Sequence, residues 1–287
     1  MAMSVISERF DRNIRLFGLE GQRKLNSTKL TIVGIGGLGT QVVQQLSLLG
    51  VGALTLVDHE EISVSNKNRY VGVYNNDRVP GTLKVDVGAR LIQSISPETV
   101  VSKIAKSLVS LDAFEAIEMA DYVFGCVDDD GPRFVLNDAA TAFGKPYIDL
   151  ASDVIGTSFG GRVVFKTAEP GCLFCFDELN KEMIRNFLES PSERANRESI
   201  YGIDKSALGD AGPSVVSING VVASLAVTEF MRECCDMGQP RRFLNYDGHK
   251  GRVSERFIAG RVDCPYCSAW GKRNQTDLNG YLRLQLH

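Results

Sequence analysis

Lys29-Leu-Thr-Ile-Val33, Gly34-Ile-Gly36-Gly37-Leu-Gly39 and Thr40 to Leu49 form the stretch that decides the fold. Residues 29–33 carry the apolar and β-branched side chains of a short buried strand. Residues 40–49 set Val42, Val43, Leu46 and Leu49 at helical spacing. The glycine run lies between them. A loop in that position turns backbone N–H groups toward an anion at the helix N-terminus, and a Cβ there would block the approach of phosphate. Ala53-Leu-Thr-Leu-Val57 then reads as a second strand ending on Asp58, where an acid accepts hydrogen bonds from ribose hydroxyls.

The alternation continues outward. Helices are expected at 82–95, 111–119 and 131–143, and strands at 100–104, 121–126 and 146–150, with Asp128-Asp129-Asp130 just behind the fourth strand. Strands alternating with helices imply βαβ units, so the fold class is α/β with a doubly wound, mostly parallel sheet. After about residue 155 the pattern becomes antiparallel. A strand is expected at 161–167, a polar irregular stretch at 177–213, a helix at 215–233, strands at 242–247 and 251–258, and a frayed polar tail after Trp270. With no internal repeat, 1–287 reads as a single domain with a nucleotide-binding half at about 9–155 and a second half at about 156–270.

Composition limits the functional classes. The chain has 287 residues, 44% hydrophobic and 23% charged, which is ample for a folded core. A net charge of -3 with both signs mixed supplies no basic field for nucleic acid or a membrane surface. Met1 to Arg12 holds no apolar signal core, and no apolar run is long enough for a membrane span, so a soluble cytoplasmic protein is expected.

A glycine loop with a following acid also suits a nicotinamide dehydrogenase. Ser65, Asn66, Arg69 and Lys84 argue otherwise, because they fall near the C-terminal ends of strands, where ligands bind in such sheets. Two cations beside one nucleotide suit a triphosphate better than a pyrophosphate bridge. Taken singly, Arg69 and Lys84 read equally well as solvated surface charges.

Four of the seven cysteines fall in two pairs, Cys172-Leu-Phe-Cys175 and Cys264-Pro-Tyr-Cys267. Each CxxC turn brings two thiolates to one ion, and two turns complete a tetrahedral zinc site. Four protein ligands leave no open position, so the expected zinc is structural.

Together these segments resemble the ThiF/MoeB/HesA family, bacterial relatives of the ubiquitin-activating enzymes. The likeness runs from Arg9-Phe-Asp-Arg12 through Gly34–Gly39 and Asp58 to the Ser-Asn-x-x-Arg pattern at Ser65, Asn66 and Arg69. It continues through Lys84, Asp128 and both CxxC pairs, covering roughly 9–268. The resemblance implies a Rossmann-like fold and ATP-dependent adenylation of the C-terminal glycine carboxylate of a ubiquitin-like or sulfur-carrier protein ending in Gly-Gly. It implies ATP, Mg²⁺ and Zn²⁺ as cofactors. Gly34, Gly36, Gly37 and Gly39 would approach the phosphates and Asp58 the ribose. Ser65, Asn66, Arg69 and Lys84 would line or clamp the phosphates. Asp128 would hold Mg²⁺, and Arg12 would reach the partner subunit's site in a homodimer. One departure is visible: where the family often has Asp-Asn, this chain has Asp128-Asp129, which leaves the role of Asp129 open. Arg133 is expected to pair with this acidic cluster or to form a surface salt bridge.

Relatives that pass the acyl group to a cysteine commonly carry that nucleophile in the crossover before the last helix. Asp177 to Ser214 contains no cysteine. Cys126 reads as core, and Cys234 and Cys235 as buried or half-buried at a helix end. The pattern resembles a MoeB-like enzyme that stops at the adenylate. A ubiquitin-activating type using a thioester and a conjugating enzyme is the alternative, and a tRNA-base dehydratase-like relative is another, though such relatives typically lack this cysteine set. Phe187, Ile200-Tyr201-Gly202 and Ala211-Gly212-Pro213 would border the channel for the partner's tail. His59 reads as a solvated loop histidine.

Overall fold

The structure, a computed structural model, describes residues 8–155, 157–189, 213–282 and 284. Its frame is a sheet ordered β3-β2-β1-β4-β5-β6-β7-β8. The strands are β1 (Lys29–Val33), β2 (Ala53–Val57), β3 (Val100–Ile104), β4 (Tyr122–Gly125), β5 (Tyr147–Ile155), β6 (Ser158–Lys166), β7 (Phe243–Asp247) and β8 (Arg252–Glu255). The pairs β2–β3, β1–β2, β1–β4 and β4–β5 are parallel, whereas β5–β6, β6–β7 and β7–β8 are antiparallel. The chain therefore changes winding direction between β1 and β4. In such sheets the ligand crevice opens beyond the carboxyl ends of the strands at that switch.

Each face of the sheet carries its own core. On one face α2 (Gly37–Leu49), α3 (Lys84–Ile95) and α7 (Val216–Cys234) bury Val42, Leu46, Val85, Ile92, Val222 and Phe230. On the other, α4 (Leu111–Met119) and α5 (Asp130–Ala142) bury Phe114, Ile117, Val135 and Leu136 together with the four CxxC cysteines. Helix α2 ends on Gly50, whose φ of 77° is the left-handed cap that glycine adopts without strain.

One segment lies outside the sequence expectations and two depart from them. Asp11–Ser27 forms a helix, α1, broken by Gly18 at φ 74°, and it buries Gly21, Gln22 and Leu25. The stretch expected to be irregular at 177–213 contains α6 (Lys181–Leu188), started by Asn180, whose side chain accepts from the backbone N–H groups of Glu182 and Met183. The stretch from Trp270 to Leu282 is docked: Leu278 is buried, Asn279–Leu282 forms α8, and Arg273 and Tyr281 both bond the buried Asp138 carboxylate. Residues 200–202, 211 and 212 lie outside the described residues. No described helix is long and apolar enough to cross a membrane.

Candidate active site

The glycine loop leaves β1 at Gly34, whose φ of 88° requires glycine. A Cβ there would stand 2.7 Å from the Cys126 carbonyl, and one at Gly39 would overlap the Gly34 carbonyl. These two glycines thus let α2 and the end of β4 close on the loop. Gly37 faces Asn219 of α7 so closely that a Cβ would overlap the amide. Asn219 is held there by Ser152 Oγ, which donates to Oδ1 at 2.8 Å, and by Ser214 Oγ, which accepts from Nδ2 at 3.1 Å. Gly36 is the N-cap of α2, with no side-chain cap and no acid in the first turn. The helix therefore presents uncapped N–H groups and its positive end to the crevice, the arrangement that binds anions.

Asp58 lies beside this end. Its Oδ2 accepts from the Ile35 N–H at 2.8 Å and its Oδ1 from the Glu60 N–H at 2.9 Å. The carboxylate ties the loops after β1 and β2 together. Lys84 begins α3, and its N–H donates to the Glu60 carbonyl at 2.9 Å, so the lysine is pinned to the loop that follows Asp58. Its ammonium pairs with Glu60 and lies 5.6 Å from the Tyr70 ring centroid. Lys84 is buried, not a solvated surface charge. Burial opposes its charge, but Asp58, Tyr70 and Glu60 outweigh burial and raise its pKa. The same hydrogen bond from Lys84 lowers Glu60, while burial raises Tyr70.

Arg69 is half-buried, donates to the Ser65 carbonyl and lies 5.4 Å from the Tyr70 ring. Asn66 is buried; its Oδ1 accepts from the Ser63 N–H at 2.8 Å and completes a capping box around the turn at 64–66. Ser65 is exposed on that turn, its Oγ 2.9 Å from Ser63 Oγ. The loop is held by Arg90, which grips Asp77 through two hydrogen bonds of 2.6 and 2.7 Å.

Asp128 is exposed behind β4, and β4 pairs with β1, so Asp128 flanks the glycine loop on the side opposite Asp58. Asp129 is turned into α5 as its N-cap, accepting from the Gly131 N–H at 2.7 Å. Burial, the first cause, raises its pKa, and the neighbouring acids add to this. Arg133 does reach the cluster, 3.8 Å from Asp130, but it is buried, so the surface salt bridge is excluded. Arg12 is exposed on α1 and joins none of these groups among the described residues. Pro213 is exposed, and Phe187 packs against Gly131 beside the acidic loop.

The uncapped helix end, Asp58, Arg69 and Lys84 lie together beyond the carboxyl ends of β1 and β2, and Asp128 lies beyond β4 on the other side of β1. Sequence reasoning missed Glu60, Tyr70, Ser152 and Asn219. Glu60 and Tyr70 adjoin motif residues and were open to notice. Ser152 and Asn219 come from distant elements, and no local signal marks them.

The four CxxC thiols meet on the opposite face of the sheet. All four Sγ atoms lie within 4.8 Å of one another, and three of the separations are 3.8, 3.9 and 3.7 Å. A tetrahedron with metal–sulfur bonds of about 2.3 Å has edges of about 3.8 Å, so the set has the dimensions of a closed four-thiolate site. The Gly171 N–H points at Cys267 Sγ at 3.4 Å. The remaining cysteines, Cys126, Cys234 and Cys235, are buried. Burial also pushes the Cys126 thiol well up.

Residues 10–267 match the model of the ThiF family. The chain belongs to the ThiF family. This ThiF-family chain is 26% identical to the sulfur carrier protein ThiS adenylyltransferase of Escherichia coli K12, over 90% of this chain and 94% of that protein. It is 27% identical to the SAMP-activating enzyme E1 of Haloferax volcanii, over 95% and 93% of the two chains. It is 32% identical to the adenylyltransferase and sulfurtransferase MOCS3 of Drosophila sechellia, covering 91% of this chain but 53% of that one. Among solved structures, E. coli MccB with ATP superposes with a TM-score of 0.67 at 20% identity, covering 90% of this chain and 74% of MccB, a likeness of fold.

Proposed function

We propose that this chain is a nucleotidyltransferase that adenylates the C-terminal carboxylate of a ubiquitin-like or sulfur-carrier protein ending in Gly-Gly. The observation that carries the reading is the placement of an uncapped helix N-terminus, two basic side chains and an exposed carboxylate beyond the carboxyl ends of β2, β1 and β4, at the β1/β4 switch. The named activities of the relatives fit that chemistry.

In the reaction a carboxylate oxygen attacks the α-phosphorus of ATP, the bond from that phosphorus to the bridging oxygen breaks, and pyrophosphate leaves. Two anions must meet, so catalysis is chiefly charge neutralisation. Asp58 accepts the ribose hydroxyls. The α2 N-terminus at Gly36 and Gly37 receives phosphate oxygens, and Arg69 and Lys84 take up charge on the departing pyrophosphate. Asp128 is the residue that would hold Mg²⁺, which supplies Lewis-acid neutralisation at the reacting phosphate when bound. Its carboxylate is exposed and accepts no hydrogen bond among the described residues, which suits a cation ligand. Asn66 and Ser65 shape the turn that presents Arg69.

The cysteine set suits Zn²⁺, held by Cys172, Cys175, Cys264 and Cys267 in a structural role. Free thiols in this number fit a reducing, cytoplasmic setting. Arg12, exposed and unpaired among the described residues, is proposed to enter the ATP site of a second copy in a homodimer. The chain is read as one adenylation domain. Because Cys126, Cys234 and Cys235 are buried, adenylation is taken as its own chemistry, with any thioester or persulfide supplied elsewhere. The test is exchange of labelled pyrophosphate into ATP. It is expected only with a matched Gly-Gly partner, and no exchange with that partner overturns the reading.

A further inference from the structure

The acidic loop behind β4 rests on a buried charge network. Asp149 in β5 has no exposed surface. Its carboxylate accepts from the Tyr147 hydroxyl at 2.8 Å and from Arg162 of β6 at 2.5 Å, and it faces Arg133 of α5 at 3.8 Å. Arg162 continues to Glu178 at 3.0 Å, and Glu178 also takes Arg256 at 2.7 Å. Arg133 donates through Nη2 to the carbonyl of Val127, the residue before Asp128, at 2.6 Å and to that of Leu150 at 3.2 Å. Its buried Nε has no hydrogen-bond partner and stands 3.8 Å from Asp130 Oδ1. One guanidinium is thus shared between Asp149 on one side and the acidic loop on the other, with neither contact closed to hydrogen-bond length.

We propose that Asp149 is a positioning residue for cation binding with the nucleotide: it holds the Arg133 guanidinium back from the carboxylates at 128–130 and so keeps Asp128 free for a divalent cation. The proposal rests on the assignment of Asp128 as the cation's ligand. Arginine does not deprotonate in proteins, so a buried guanidinium must find negative charge. Asp149 and the acidic loop are the negative groups beside it. Without Asp149 the whole attraction falls on the loop, where a bound guanidinium opposes a divalent ion. With Asp149 in place, Arg133 orders the loop through the Val127 carbonyl and leaves the Asp128 carboxylate unclaimed.

The experiment titrates Mn²⁺ into the full chain with α,β-methylene-ATP, which cannot release pyrophosphate, and reads free Mn²⁺ by electron paramagnetic resonance. No protein partner is needed. Asp149→Asn is expected to weaken Mn²⁺ binding about tenfold or more, the scale of other outer-shell effects, with metal-free affinity for the analogue no lower than the parent's. Combining it with Arg133→Gln is expected to restore Mn²⁺ binding, because the competing cation is gone; a merely structural role makes the double variant no better than the single. Unchanged Mn²⁺ affinity in Asp149→Asn, or a double variant as weak as the single, overturns the proposal. If Asp149→Asn does not fold by circular dichroism, Arg162→Gln carries the test. It frees Asp149 for Arg133, so Mn²⁺ is expected to bind at least as tightly as in the parent, and weaker binding overturns the proposal. Asp128→Ala in the same titration separates the two assignments. Intact Mn²⁺ binding there removes the reading of Asp128, whereas lost binding there with unchanged binding in Asp149→Asn removes the role of Asp149 alone.

Discussion

Lys84 and Glu60 form an ion pair beside Asp58 and the Tyr70 ring, with the lysine almost fully buried and the glutamate largely exposed. The asymmetry gives the pair a direction. Glu60 can swing into solvent when a phosphate arrives, whereas the buried ammonium stays beside Asp58 and the Tyr70 ring. Lys84→Met is therefore expected to lower the exchange rate roughly 10²–10³-fold, the usual cost of removing one preorganised charge donor. Glu60→Gln should change it far less. Steady-state exchange with the matched partner checks both, and equal losses would mean that the pair acts as a structural unit.

Asp128 and Asp129 are adjacent but face different ways, one exposed and the other capping α5. Asp128→Ala is expected to abolish exchange while leaving the thermal midpoint near the parent's. Asp129→Ala should instead lose stability by about 1 kcal/mol, the typical value of an N-cap, while keeping measurable exchange. Calorimetry beside the exchange assay distinguishes them, and retained exchange in Asp128→Ala would show the cation role misassigned.

The parallel half of this fold was legible because β1, β2 and β4 are short, mostly buried runs and the glycine run stands between a strand and a helix. What escaped reading depends on contacts between distant segments. Helix α1 is polar, broken at Gly18 and leaves Leu16 and Leu19 outward, so few apolar residues mark it. Asp149 and Arg162 sit on paired strands where Asp149 lies opposite Val164, so their meeting is a diagonal contact that only the register reveals. Asn219 reaches Gly37 from the far end of the chain. Motif residues were thus readable, and the groups that hold them in place were not.

The cysteine cluster leads to a prediction about metal removal. One zinc per chain is expected by elemental analysis. Cys172→Ser should lose it and lower the thermal midpoint, because the cluster ties the 172–175 turn to the 264–267 turn within the second core. Chelation of the parent should reproduce the loss. An unchanged midpoint in the metal-free protein would mean that the cysteines pack as ordinary core.

The Asp77–Arg90 pair predicts a pH dependence. The Arg90 hydrogen bonds hold the Asp77 carboxyl below its usual range, with burial opposing and the Tyr74 N–H assisting. A carboxyl with a lower pKa in the folded chain contributes stability that is fully present above its unfolded value, about 3.9, and is lost as pH falls through the folded value. Asp77→Asn should therefore cost about 1 kcal/mol near neutral pH, a modest figure because Arg90 is partly solvated, and the difference should shrink below about pH 4. Urea melts of both proteins across that range check it, and a gap that stays constant with pH would assign the loss to packing.

Arg12 offers the sharpest test of a composite site. It lies on a helix whose neighbouring Leu16 and Leu19 are exposed, and it reaches none of the crevice residues of its own chain. If it serves the partner's site, Arg12→Ala and Lys84→Met homodimers are each inactive for different reasons. In a closed symmetric dimer, mixing them with subunit exchange gives heterodimers in which one site lacks both groups and the other is intact. Activity should then recover to about a quarter of the parent's, since about half the dimers are mixed and each has one intact site. An Arg12 acting within its own chain gives no recovery, because every site in the mixture lacks one group. Recovery measured against the mixing ratio therefore separates the two arrangements.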